Sequence, residues 1–361
     1  MAVPKDVLWD RDPHTAAKHQ ILTRYLAAWF PIIAATFRKD GLTYVDAFAG
    51  PGKYRNSQES SPVIALTQAN RRDVIKYGIE QRLLFIEKDA NRFKHLKEVI
   101  TTRFYPVPKI TVECRNGECL SEMIPTLQAM GVVDGPIFVN FDGWGVDTPA
   151  SLVRFVGRMK SAEVLVTFQT AWFIRFVEQE NQPAGDKVFG TTSWRGVVRT
   201  GSPAEKKKGL IDSYRSLLAA AGFPLQLDFE LLDEGGHELL LFFGTSKPEG
   251  LLKMKEAMWD VDRVQGRRFR DPKDINQLAF EVEDQPDLTG LKEVLVSYVE
   301  TRGERTLQEL KEYALYFTIY LPPQVSRAIA ELAEEGRIER VPGRGHQNVT
   351  VRMAPPTLFR L

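Results

Sequence analysis

The chain has 361 residues, of which 43% are hydrophobic and 26% are charged. This length favours two domains, and the composition is typical of a globular protein. Its 48 Lys and Arg residues balance 47 Asp and Glu residues, which argues against a uniformly basic nucleic-acid binder but allows a local basic patch. Cys114 and Cys119 have no His nearby, so we predict neither a disulfide framework nor a metal site. No segment has the pattern of a signal peptide or a membrane span, and we expect a cytoplasmic protein that does not bind a membrane.

The first predicted element is a helix that begins at Asp12 and Pro13, a capping residue followed by a residue suited to the first helical position. Apolar residues then recur at helical spacing up to Pro31. Four polar residues on this helix form two pairs, each one turn apart, and either face a ligand or form a solvated surface. They are His14, Thr15, Lys18 and His19.

A buried strand is predicted at Thr43–Val45, with Asp46 at its carboxyl end and a sharp glycine-containing turn after it. Ligands of open α/β sheets bind just past the carboxyl ends of strands, where glycine allows close approach to the backbone. The segment D-x-F-A-G-x-G resembles the first motif of class I S-adenosylmethionine (SAM) methyltransferases. The resemblance implies that this loop holds the methionine part of SAM. The alternative is a glycine-rich turn without a ligand. The candidate cofactor-binding residues here are Asp46, Phe48, Ala49, Gly50 and Gly52.

The second predicted strand, 83–86, ends in Glu87. An acidic residue at this position bonds the ribose hydroxyls of a bound nucleoside in the dinucleotide-binding fold, although Glu87 could also be a surface residue. A third strand, 109–114, precedes Asn116. The class I resemblance implies that Asn116 contacts the adenine, but an ordinary Asn-Gly turn explains this residue equally well.

The fourth predicted strand, 136–141, leads directly into Asp142-Gly143-Trp144-Gly145. Class I enzymes that methylate exocyclic amines of bases carry Asp/Asn-Pro-Pro-aromatic at this position. By this partial resemblance, Asp142 would accept a hydrogen bond from the amine and Trp144 would stack on the base. The alternative for Asp142 is helix capping.

A fifth strand at 162–168 and a hairpin at 225–232 and 238–244 complete the predicted order of elements. The order predicts an α/β, Rossmann-like class I methyltransferase fold over residues 1–262, with a mostly parallel sheet and an antiparallel terminal hairpin.

A basic linker is predicted over residues 263–286, followed by a domain at 287–361. Arg267, Arg268 and Arg270 surround Phe269 in the linker, a pattern that suits a phosphate backbone and a stacked base or, alternatively, a solvated face. Three helices and a β-ribbon then predict a winged helix-turn-helix domain, which binds DNA or packs on protein. Its candidate nucleic-acid contacts are Arg327 on the third helix and Arg344 and His346 on the wing.

Several segments together resemble the three-Cys-motif partner (TcmP) family, which is methyltransferase-like. The most diagnostic are D-P-H-T-x-x-K-H at residues 12–19 and K-M-K-x-A-M-W-x-V-D at 253–262. The resemblance covers most of the chain and includes Lys18, which we therefore place with Asp142 and Trp144 as a candidate catalytic residue. It implies a radical-SAM three-Cys-motif partner related to the spore photoproduct lyases, and a role in DNA repair or another nucleic-acid process.

Three functions remain open at this point. The first is a SAM-dependent methyltransferase that acts on nucleic acid, because methyl transfer depends mainly on alignment and needs no obvious acid–base pair. The second is a non-catalytic accessory protein that binds DNA and the partner. The third is a metal-dependent nuclease in which Asp46, Glu87 and Asp142 converge on Mg²⁺.

Overall fold

A computed structural model describes the chain at residues 6–56, 58–104, 106–132, 134–143, 146–176, 183–232, 238–270, 285–341 and 349–354. The chain forms two compact units. The first comprises Met1–Ala257 and Arg268–Leu278, and the second comprises Met258–Arg267 and Ala279–Leu361.

The first unit contains an eight-stranded sheet in the order β3-β2-β1-β4-β5-β7-β6-β8. Strands β1 to β5 are parallel, and β7 runs antiparallel to both β5 and β6. The predicted fold class, a Rossmann-like α/β sheet of the class I methyltransferase type with an antiparallel terminal hairpin, is confirmed. The strands are β1 (Leu42–Asp46), β2 (Gln81–Glu87), β3 (Ile110–Asn116), β4 (Ile137–Phe141), β5 (Ala162–Phe168), β6 (Leu225–Leu232), β7 (Glu238–Thr245) and β8 (Arg268–Arg270).

Helices connect these strands along the chain. They are α1 (Pro13–Thr36), α2 (Ser61–Ala69), α3 (Arg72–Ile75), α4 (Ala90–Arg103), α5 (Cys119–Ala129), α6 (Ala150–Val156), α7 (Thr170–Phe176), α8 (Pro183–Phe189), α9 (Trp194–Arg199), α10 (Pro203–Ala221) and α11 (Pro248–Val261). Helix α1 starts as predicted, with the Asp12 carboxylate accepting a hydrogen bond from the Thr15 N–H at 2.7 Å, and it continues past Pro31.

The central strands are buried because helices cover both faces of the parallel sheet. All five residues of β1 and all five of β4 are buried. A stack of aromatic side chains reinforces one face, where the rings of Tyr44 and Phe138 lie 5.9 Å apart and nearly parallel. Since the strands are rigidly packed, the side chains at their carboxyl ends have fixed positions.

Part of the predicted basic linker is a strand instead. Residues Arg268–Arg270 form β8, which pairs in parallel with β6 at the edge of the sheet. The Arg268 Nε donates to Glu230 Oε2 at 2.6 Å, and this ion pair favours pairing of the segment with β6 over an unpaired linker.

Within the described residues from 285 onward, the second unit has three helices and a three-stranded antiparallel sheet in the order β10-β11-β9. Leucine, isoleucine and valine side chains of all three helices form its core together with Ile338 and Val351. The helices and the ribbon follow the predicted order, and the winged-helix assignment stays a prediction. The elements are α12 (Thr289–Arg302), β9 (Arg305–Thr306), α13 (Leu307–Phe317), α14 (Pro322–Glu334), β10 (Ile338–Val341) and β11 (Thr350–Met353).

Among the described residues, no helix combines the length and apolar character that a membrane crossing requires.

Candidate active site

A cavity of about 400 Å³ lies at the carboxyl ends of β1, β2 and β4. The strand order reverses between β1 and β4, which is where open α/β sheets bind ligands. The volume is within the range of small-molecule sites. The predicted residues that line the cavity are Lys18, Phe48, Ala49, Gly50, Glu87 and Asp142.

The loop after β1 has one glycine that opens onto the cavity and another that packs on a helix. Gly50 has a φ of 63°, and a Cβ placed on it would meet no atom within 4 Å. Gly52 has a φ of 90°, and its Cβ would lie 3.2 Å from the Val99 side chain of α4. Gly50 is therefore open to close approach by a ligand. Gly52 does not line the cavity and allows α4 to pack against the loop.

Glu87 joins the end of β2 to the glycine loop. Its carboxylate accepts hydrogen bonds from the Gly50 N–H at 2.9 Å and from the Asp89 N–H at 2.8 Å. Burial raises the pKa of Glu87, and the backbone donors and Arg92 oppose that shift. Because a carboxylate offers about four lone-pair sites, Glu87 can still accept hydrogen bonds from ligand hydroxyls.

Asn116 is the last residue of β3 and does not line the cavity. Its amide donates to the carbonyl oxygens of Glu87 at 2.8 Å and Lys88 at 3.1 Å. The adjacent Gly117 and Glu118 line the cavity instead. In the structure, Asn116 therefore holds the end of β2 in place, and its amide nitrogen is already engaged.

Asp46 is fully buried beneath the loop and does not line the cavity. The Tyr44 hydroxyl and the Phe48 N–H each lie 3.4 Å from its carboxylate oxygens. Burial raises the pKa of Asp46 to about 7, although hydrogen bonds from Ser61, Phe48 and Asn140 oppose that shift. Asp46 thus supports the loop from below.

Lys18 and Asp142 form an ion pair at the tip of β4. The Lys18 Nζ donates to Asp142 Oδ1 at 2.6 Å, and the Thr167 hydroxyl donates to the same oxygen at 2.5 Å. Burial alone would raise the pKa of Asp142, but the charge and hydrogen bond of Lys18, together with Thr167, hold it below its ordinary value. The carboxylate is therefore ionised at neutral pH. Sequence reasoning missed Thr167, although its place near the carboxyl end of β5 was a usable signal.

Two buried histidines of α1 line the same cavity. The His14 Nε2 and His19 Nδ1 atoms have no hydrogen-bond partner among the described residues. Burial lowers the pKa of His19 to about 4, so its imidazole is neutral at physiological pH. The ring of Tyr54, a residue that sequence reasoning did not single out, lies 5.7 Å from the His19 ring and also lines the cavity.

The glycine at position 143 makes room at the β4 tip. A Cβ on Gly143 would lie 3.0 Å from Asp147 Cβ and 3.1 Å from Phe48 Cζ. The small residue therefore allows Phe48 to pack close to this turn. Trp144, the predicted stacking residue, lies outside the described residues.

Among the described residues, two of the predicted nucleic-acid contacts are engaged by other side chains of the protein. Arg268 is bonded to Glu230. Arg327 donates to Glu331 at 2.9 Å and to Gln285 at 2.7 Å, whereas Arg267 is exposed. The Arg270 side chain, Arg344 and His346 lie outside the described residues.

The three carboxylates proposed for a nuclease occupy different settings. Asp46 is enclosed, Glu87 is bonded to the glycine loop, and Asp142 is paired with Lys18. Across the described ranges, no group of three or more His, Cys, Asp or Glu residues is arranged to hold a metal ion.

No protein-family model and no curated protein matches the chain. Three similar solved structures are Trm1 from Pyrococcus horikoshii with SAM, TYW2 from P. horikoshii with MeSAdo, and the cyclopropane synthase MmaA2 from Mycobacterium tuberculosis. Trm1 is 12% identical with a TM-score of 0.38, and the alignment covers 71% of this chain and 61% of Trm1. TYW2 is 14% identical with a TM-score of 0.28 and coverage of 66% and 64%. MmaA2 is 12% identical with a TM-score of 0.28 and coverage of 64% and 68%.

Proposed function

We propose that the chain is a SAM-dependent methyltransferase that acts on nucleic acid. The observation that carries this proposal is the hydrogen bond from the Gly50 N–H to the Glu87 carboxylate. Both residues line the cavity at the point where the strand order reverses. The cavity fits the cofactor because it combines an open glycine backbone, a buried carboxylate and apolar side chains. Bound SAM supplies an electrophilic methyl group on a sulfonium.

Each part of the cavity has a role in this proposal. Glu87 accepts hydrogen bonds from the two ribose hydroxyls, and the backbone from Phe48 to Gly50 accommodates the chain that carries the sulfur. Phe48 and Leu120 provide apolar surface beside the adenine of the cofactor. Asp46 keeps the loop in place from below, and so it acts as a positioning residue.

The acceptor is proposed to bind at the tip of β4. Asp142, which is ionised, accepts a hydrogen bond from an exocyclic amine of a base, and Trp144 stacks on that base. Transfer to a base would require little acid–base chemistry, because alignment of the nitrogen, the methyl carbon and the sulfur accounts for most of the rate.

The wider setting is proposed on the TcmP resemblance at residues 12–19 and 253–262. The chain would work beside a radical-SAM three-Cys-motif protein in DNA repair. The second unit, with the order of elements of a winged helix, would supply the contact to DNA, and Arg267 is an exposed cation there.

Calorimetry with SAM and S-adenosylhomocysteine (SAH) tests the cofactor proposal. We expect both to bind, and Glu87→Gln to weaken SAH binding about 10- to 100-fold because charged hydrogen bonds are lost. Glu98→Gln, an exposed residue of α4, is the matched control and should leave the affinity unchanged. Absence of binding of both ligands at millimolar concentration would refute the proposal.

The ion pair of Lys18 and Asp142 favours a second candidate, an accessory protein without catalysis. Asp142 is already bonded to two donors at the place where the acceptor would bind. Incubation with methyl-labelled SAM and with DNA, RNA or the three-Cys-motif partner separates the two candidates. Label in a macromolecule supports the enzyme, whereas SAM binding without label in any of them supports the accessory role.

A further inference from the structure

The first two turns of α1 present a polar face to the cavity. His14, Thr15, Lys18 and His19 all line it, although they belong to a helix that precedes the sheet. The glycine loop borders the same cavity. A ligand that extends along the loop therefore also reaches α1.

This face has hydrogen-bonding capacity that the described protein groups do not use. His14 and His19 are 1% and 4% exposed, and each has a ring nitrogen without a partner in the described part of the chain. An unpaired buried polar atom costs free energy, so such atoms are normally satisfied by a ligand or by water. Both atoms belong to side chains that line the same cavity, and this favours a polar ligand group beside them.

Lys18 adds a positive charge with spare donors. Its ammonium group has three N–H donors, and the one hydrogen bond found for it within the described residues goes to Asp142. Lys18 can therefore bond Asp142 and a ligand anion at the same time. The spare N–H donors of Lys18 suit a carboxylate better than a cation.

We propose that Lys18, assisted by His14 and His19, binds the α-carboxylate of the methionine part of SAM. This assignment rests on the proposed function, and it gives Lys18 a role in cofactor binding instead of methyl transfer. Lys18 then connects the two ends of the site.

A pair of ligands isolates this contact. SAH carries the amino-acid group, whereas 5′-methylthioadenosine has the same nucleoside and thioether without it. We expect calorimetry on the full chain to show that SAH binds at least about 10-fold more tightly. Lys18→Met should weaken SAH binding about 10- to 100-fold and leave methylthioadenosine binding within about twofold.

Two further variants control the measurement. Lys18→Arg keeps the charge and should recover part of the SAH affinity. Lys187→Met removes a positive charge from an exposed position on the rim of the cavity and should leave both affinities unchanged. Unchanged methylthioadenosine binding also shows that the Lys18→Met cavity is folded.

The outcomes separate this inference from the proposed function. If both ligands bind the unaltered chain and Lys18→Met affects them equally, or affects neither, the carboxylate assignment is overturned while the cofactor site stands. If neither ligand binds the unaltered chain, the cofactor site fails and the assignment fails with it. Selective loss of SAH affinity supports the assignment.

Discussion

Asp46 is the last residue of β1, and Asp142 directly follows the neighbouring strand β4. Both carboxylates are largely withdrawn from solvent, yet their pKa values shift in opposite directions. Burial dominates at Asp46, whose hydrogen-bond donors are neutral. At Asp142, the Lys18 cation outweighs burial. The difference shows that a paired cation can outweigh burial and keep a carboxylate charged. Asp46 at the end of β1 is therefore suited to support the glycine loop, and Asp142 after β4 is suited to provide an anion.

The largest expected effect comes from the pH dependence of Asp46. The folded state keeps its proton up to about pH 7, whereas an unfolded Asp loses it near 3.8. The folded state thus binds more protons between these values, and the free energy of unfolding falls as the pH rises through this window. Asp46 lowers the free energy of unfolding by up to about 4 kcal/mol across this window, and its contribution is constant above about pH 7.

Urea denaturation from pH 4 to pH 8 measures this slope. Glu163, whose pKa burial raises to about 7, contributes a slope of the same sign, so the informative quantity is the difference between the unaltered chain and Asp46→Asn. We expect a flatter profile for the variant. Parallel profiles would show that Asp46 is not protonated in the fold.

The next effect is the loss of the cation at Asp142. Lys18→Met leaves an unpaired carboxylate in a mostly enclosed site, and we expect a loss of about 3 kcal/mol in the free energy of unfolding at pH 8. The double variant Lys18→Met/Asp142→Asn should recover more than half of it, because no charge is left unpaired. Equal instability of the single and double variants would contradict the assigned cause.

The two glycines of the loop provide a smaller contrast. Gly50→Ala forces a left-handed alanine and should cost about 1 kcal/mol, with room for the methyl group. Gly52→Ala adds a close contact with Val99 and should cost about 2 kcal/mol or more. Calorimetry should show the reverse order for SAH, with Gly50→Ala the more damaging. The same ranking in stability and affinity would argue against Gly50 facing the ligand.

Asn116→Ala is expected to have the smallest effect. The amide bonds two carbonyl oxygens at an exposed position, so its loss should cost about 1 kcal/mol or less in stability. SAH affinity should fall at most about threefold, since the effect reaches the cavity only through the end of β2. A loss similar to that of Glu87→Gln would instead indicate direct contact with the ligand.

The sequence predicts the parts of the site that are local in the chain. Residues Thr43–Gly52 contain a strand, an acidic residue and a glycine turn in one segment. Glu87 is the last residue of a buried, mostly apolar strand. Periodicity and turn chemistry are short-range signals, and so the positions of Asp46, Gly50 and Glu87 in the fold follow from them.

The relations between distant residues were not predictable in this way. Lys18 and Asp142 are 124 positions apart, and each could be named as a candidate without any sign that they form an ion pair. Gly50 is open to the cavity and Gly52 packs against α4, and this difference depends on where α4 lies. Asn116 likewise has its partners at and just after the end of the neighbouring strand β2, which only the sheet register brings near it.

Strand β8 has a consequence for the chain in concentrated solution. Without it, β6 would leave a row of unpaired backbone groups at the border of a seven-stranded sheet, a surface on which other chains can pair. The three residues Arg268–Arg270 are a short strand that covers part of that row. A segment whose composition suggested a phosphate contact thus also protects the protein from intermolecular strand pairing.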